Sequence, residues 1–176
     1  MKNQNLAFID LETTGLNSER HEIIELGCVV LRQPDLKQLA ELDLKIKPLH
    51  LETAEPEALR VNGYNGGDWL FAADLAQALK ALNEKAAGAM MISHNITFDW
   101  PFLERAYATT GVPNQLASVR LDLLSMAFVK LHKEERVQRF NLRALCDYFQ
   151  LKNEQQHTAL ADIKASVAIY KKLAGI

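Results

Sequence analysis

A chain of 176 residues that is 48% hydrophobic and 24% charged has the make-up of an ordinary soluble globular protein, with room for one domain, residues 1–176, around a single substantial core. Its formal net charge of −2 excludes bulk attraction to polyanions, so any contact with nucleic acid has to come from a local basic patch. No apolar run approaches the roughly 20 residues of a membrane span, and MKNQNLAFID offers no stretch suited to a signal peptide, so a cytoplasmic location is expected.

In chain order, residues 6–11 read as a strand and 22–32 (EIIELGCVVLR) as a longer one. Residues 39–47 alternate apolar and polar, the mark of a strand with one exposed face. Short turn-rich links join these three, which predicts an antiparallel meander. A helix is expected over 53–61, stopping near Asn62-Gly63, followed by a loop at 63–67 and a helix over 72–87. Residues 89–93 fit a buried central strand, and 97–110 a helix in which Pro101 is tolerable only near the first turns. A short fifth strand at 117–122 and helices over 123–132, 141–149 and 158–174 complete the chain. A meander followed by alternating helices and strands predicts an α/β domain with a mixed sheet. Cys28 and Cys146 sit in apolar patterns without metal-ligand spacing, as reduced core residues of a reducing compartment would.

The chemistry concentrates at the ends of these elements. Asp10 and Glu12, two residues apart on the first strand, project from one face. Paired carboxylates on a buried strand repel and cost desolvation, and a hard divalent cation is the usual remedy. Asp99 opens a helix directly after the central strand, the edge where ligands gather in open α/β sheets; read alone, it is a helix-start aspartate favoured by the macrodipole. His157 and Asp162 bracket the start of the last helix and converge only if His157 lies on the preceding loop, with Thr158 as N-cap. Four carboxylates and a histidine suit two-metal phosphoryl hydrolysis, in which cations about 4 Å apart activate a water and stabilise the leaving oxygen. Histidine is the natural base for that water's proton near neutral pH.

Three stretches carry a family resemblance. Asp10-Leu11-Glu12-Thr13-Thr14-Gly15-Leu16 is similar to the first motif, DxETTGL, of the DEDDh branch of the DnaQ-like 3′–5′ exonucleases. His94-Asn95-Ile96-Thr97-Phe98-Asp99 resembles the second, HNxxFD, and His157-Thr158-Ala159-Leu160-Ala161-Asp162 the third, HxAxxD. The resemblance spans residues 10–162 in the family's order. It implies a ribonuclease H-like fold with a five-stranded mixed sheet, antiparallel meander then parallel strands, flanked by helices. It implies Asp10, Glu12, Asp99 and Asp162 as ligands of two divalent cations, Mg²⁺ or Mn²⁺, with Asp10 bridging and His157 as general base. Thr13, Thr14 and Gly15 would sit beside the terminal nucleotide, and Leu16 would wedge against the last base. Asn95 would orient the loop before Asp99. Phe98 and Phe102 are either base-stacking or core residues, and Asp122 is either a site aspartate or a helix cap.

The expected substrate is the 3′ end of single-stranded DNA, with RNA as the alternative, because no residue here declares a contact to the 2′-OH. Residues 130–143 (KLHKEERVQRFNLR) set five basic side chains against two glutamates, either a patch for phosphates or a solvated helix end. The sequence stops soon after Asp162, which predicts no polymerase-tethering tail; a DNA polymerase bound through the folded surface, or a homodimer partner, fits. An inactive nucleic-acid- or polymerase-binding module is a remote reading, against which the intact acid and histidine set argues.

Overall fold

The structure is a computed structural model, and residues 3–151 and 158–175 are described. Strands β1 (Leu6–Thr13), β2 (Ile23–Leu31) and β3 (Gln38–Lys45) form the antiparallel meander. β4 (Met90–Ser93) pairs parallel with the other edge of β1, and β5 (Arg120–Asp122) pairs parallel with β4. The order β3-β2-β1-β4-β5 is the expected five-stranded mixed sheet. The helices are α1 (Pro56–Val61), α2 (Leu75–Ala86), α3 (Ile96–Thr110), α4 (Leu123–Leu131), α5 (Leu142–Phe149) and α6 (Ala159–Ala174).

Side-chain alternation along β1 divides the core between the two faces of the sheet. Ala7, Ile9 and Leu11 pack with Leu79 and Leu82 of α2 and with Phe102 and Leu103 of α3. Leu6 and Phe8 pack on the other face with Leu123 of α4, Leu145 and Cys146 of α5, and Ile163 and Ile169 of α6. Asp10 and Glu12 are in phase with Leu6 and Phe8, so they project toward α6. Both cysteines are buried and free, as expected, and burial pushes the Cys28 thiol up to about 12.

Several elements differ from expectation for local reasons. The helix expected over 53–61 is a 3-10 turn at Leu51–Thr53 followed by α1. Pro56 forces the break, because the residue before a proline is driven out of the helical region, and Glu55 is extended. α2 starts at Leu75 rather than 72, since Asp74 and Gln77 form a reciprocal capping box and Ala73 is drawn into a bridge with Ile46. β5 is three residues long, its ladder with β4 running only from Arg120 opposite Met91 to Asp122 opposite Ser93. Pro101 lies inside α3, beyond the first turn, where it cannot donate to the Thr97 carbonyl.

Gly27 permits a close approach of helix to strand. It stands opposite Asp10 on β2, and a Cβ there would lie 2.6 Å from Ile163 Cδ1 and 3.0 Å from the Ala159 backbone. α6 therefore rests directly on β2 beside the acid pair. Gly27→Val should cost about 1–3 kcal/mol through overpacking, read as a lower urea midpoint. It should also depress activity by lifting the first turn of α6; unchanged stability would mean that α6 moves freely over the sheet.

Candidate active site

β1 outruns its neighbour. It pairs with β4 only through Leu6–Phe8, whereas its ladder with β2 continues to Thr13. The edge facing β4 is open beyond Phe8, and there the start of α3 brings in Asp99. Its carboxylate, 3% exposed, accepts from the Ser93 hydroxyl and from the Leu11 backbone N–H. The macrodipole of α3 favours its charge at the same point.

The opposite wall is the first turn of α6. Thr158 caps it, accepting from the Ala161 N–H at 3.4 Å, and Glu25 on β2 accepts from the Ala159 N–H at 2.9 Å. Glu25 is the cross-strand partner of Glu12, so one rung of the meander carries both a site acid and the anchor of α6. With α6 held this way, Asp162 joins Asp10 and Glu12: one oxygen from each of the three lies within 4.8 Å of the others. Asp99 is outside that trio, turned toward Ser93, but its charge acts on both Asp10 and Glu12.

The electrostatics are those of a site short of positive charge. Burial first, then the charges of Asp99, Glu12, Asp162 and Glu25, raises the Asp10 carboxyl well above the usual range. Burial and the charges of Asp162, Glu25 and Asp99 push Glu12 up to about 8. Burial raises Asp99 to about 7 despite the donors from Ser93 and Leu11. Clustered hard oxygen donors that resist ionisation beside one another are a donor set fitted to divalent cations.

Thr13 ends β1 and is buried, as are Thr14 and Gly15 in the loop that follows, and Leu16 stands 77% exposed at its tip. The Thr13 hydroxyl donates to the Gly15 carbonyl at 2.7 Å, and Thr14 Oγ1 accepts from the Glu22 N–H at 2.9 Å. Both threonine hydroxyls are thus engaged by backbone groups between β1 and β2. Beneath Gly15 lies His21, whose ring would be 2.5 Å from a Cβ at that position. His21 Nδ1 accepts from the Asn17 N–H at 3.0 Å, and its Nε2 is 3.6 Å from Glu55. Asn62 donates to the Thr13 carbonyl at 2.8 Å, and Arg105 reaches the Ser18 carbonyl. No motif flagged His21, Glu55, Asn62 or Arg105. Glu25, an acid within an otherwise apolar strand, was the one legible anomaly.

The remaining expected residues divide. Asn95 is exposed ahead of α3 and accepts from the Thr97 hydroxyl at 2.7 Å without capping the helix. Phe98 is half-buried against the core, with its ring centroid 5.2 Å from that of Phe102. Phe102 is 3% exposed, so its base-stacking alternative is corrected: it is core. Asp122 accepts from the Ile96 N–H at 3.0 Å and the Ser125 N–H at 2.8 Å, capping α3 and α4 together. His157 lies outside the described residues.

An acid cluster at the open edge of such a sheet is the architecture of a nuclease. The RNase_T family, described as an exonuclease family, matches residues 7–170, and this chain belongs to it. The resemblance read from the three motifs therefore holds. Among curated relatives, a PolC-type DNA polymerase III of Streptococcus sanguinis is 30% identical over 157 residues, covering 89% of this chain and 10% of that protein. Protein NEN2 of Arabidopsis thaliana is 25% identical over 174 residues, covering 97% of this chain and 35% of that protein. The fold matches that of E. coli exonuclease I in complex with a dT13 oligonucleotide, with a TM-score of 0.80 at 16% identity over 97% of this chain and 41% of that one. The chain thus spans between about a tenth and two fifths of these proteins. Among the described residues, no helix is long and apolar enough to cross a membrane.

Proposed function

We propose that this chain, as one domain over residues 1–176, is a 3′–5′ exonuclease that removes nucleotides from single-stranded DNA with two divalent cations, Mg²⁺ or Mn²⁺. The observation that carries this is the convergence of Asp10, Glu12 and Asp162 at the open edge of β1. Cations bound there would offset the clustered charge, activate the attacking water and stabilise the leaving oxygen. Asp10, which lies among the charges of Asp99, Glu12 and Asp162, would hold the cations together with them. Asp99, held by Ser93, completes the negative wall. His157 takes the proton of the attacking water. Leu16 meets the terminal base, and Phe98 borders its seat. The PolC-type polymerase relative and the dT13 bound by exonuclease I support DNA over RNA, and the former supports association with a DNA polymerase.

The test is degradation of 5′-labelled single-stranded DNA, single-stranded RNA and duplexes with Mg²⁺ or Mn²⁺. A ladder shortening from the 3′ end of DNA is expected; a ladder on RNA alone would replace the substrate, and no degradation would overturn the reading. His157→Ala should lower turnover about 10²–10⁴-fold and leave metal affinity intact. Loss of metal affinity in that variant would remove the histidine from the role of base.

A further inference from the structure

Residues 128–148, from the end of α4 into α5, form a second charged surface that the acid site does not use. Lys130, Lys133, Arg136, Arg139 and Arg143 are all exposed, and none makes an ion pair among the described residues. Glu134 and Glu135 are the only acids between residues 130 and 143. The positive charge is therefore concentrated and unspent in a chain whose net charge is −2.

Aromatic rings lie among these cations. Phe128 is 52% exposed, stacks on His132 at 5.5 Å between centroids, and meets Phe140 edge-on at 5.3 Å. The Arg136 guanidinium lies 5.3 Å from the Tyr148 ring centroid. A groove of about 470 Å³ runs between Arg136, Gln138, Arg139 and Tyr148, with Asp147 on its wall. Cations that follow a backbone, interleaved with rings that accept bases, are the equipment of sequence-tolerant single-strand binding.

The surface also adjoins the site. Phe140 packs against the core cluster that holds Ile92 of β4 and Leu123 of α4. At the other end of α4, Asp122 ties that helix to the start of α3, which carries Asp99. We infer that residues 128–148 hold the strand on the 5′ side of the terminal nucleotide, gripping phosphates with Arg136 and Arg139 and offering Phe128 to a base. This rests on the nuclease reading above.

The two ideas separate in one experiment on the double variant Arg136→Glu/Arg139→Glu, with Lys80→Glu on α2, across the sheet, as control. Each protein is assayed on the p-nitrophenyl ester of thymidine 5′-monophosphate, too small to leave the acid site. Each is also assayed on oligothymidylate and oligouridylate of about 20 nucleotides. On the oligonucleotide that the wild type degrades, KM should rise about tenfold in the double variant. The slope of log kcat/KM against log salt should flatten by about 1.4, the loss of two phosphate contacts. Ester hydrolysis should be unchanged, and Lys80→Glu should match wild type throughout. An unchanged oligonucleotide KM and slope, or an equal fall on ester and oligonucleotide, would overturn this surface while the nuclease reading stands. Failure of the wild type on every substrate would overturn both. A double variant impaired only in capture of an acidic protein would reassign the surface to protein binding.

Discussion

Replacing Asp10 by asparagine should lower turnover on a single-stranded oligonucleotide about 10³-fold, because the acid that feels every other charge in the site would no longer hold cations. The same substitution should stabilise the protein in a chelator. Asp10 is buried among like charges, and its carboxylate form is paid for by the rest of the fold; asparagine keeps the shape and removes the repulsion. A gain of about 2–4 °C in thermal midpoint is expected for each 1 kcal/mol recovered in a chain of this size. The midpoint rise that Mg²⁺ or Mn²⁺ gives the wild type should shrink in the variant, since a ligand stabilises only the state that binds it. Wild-type turnover in Asp10→Asn would remove this residue from the chemistry. Lost activity with an unchanged response to metal would give it a role other than cation binding.

The metal-free protein should lose stability as pH rises from about 5 to about 9. Glu12 moves from 4.5 to about 8 on folding and Asp99 from 3.8 to about 7, and Asp10 is raised as well. Between the unfolded and folded values of each group, the folded chain holds more protons than the unfolded one. Stability therefore falls through that window and levels off above the highest folded value. Divalent cations should oppose the trend, because they compete with protons for the same oxygens and bind more tightly as pH rises. Thermal melts across this range, with chelator and with Mg²⁺, read both arms. A flat profile in chelator would mean that the three acids are not mutually strained.

The order of strands and helices was legible because each element carried its own period: alternation over 39–47, a purely apolar run over 89–93, helical spacing over 72–87. Boundaries were not, where a neighbour decided them. β5 begins only at Arg120, where its ladder with β4 starts at Met91, and the residues before α2 are claimed by the bridge of Ala73 to Ile46. The acids were legible as a set because Asp10, Glu12, Asp99 and Asp162 each mark an element end. Their supports were not. Glu25 meets the Ala159 N–H across 134 positions, and Ser93 reaches Asp99 only because β4 and α3 fold back on one another. His21 beneath Gly15 is a packing fact with no local pattern. Asp122 shows the limit in the other direction: a position resembling a site acid serves as a double cap.

The anchoring of Ala159 by Glu25 also bears on when the protein becomes competent during its own synthesis. Asp10 and Glu12 leave the ribosome well before Asp162, and α6 cannot seat on Gly27 until its own residues have been made. A growing chain therefore carries an incomplete acid set until α6 has emerged. Competence thus waits on the long sequence separation of the parts of the site rather than on any inhibitor.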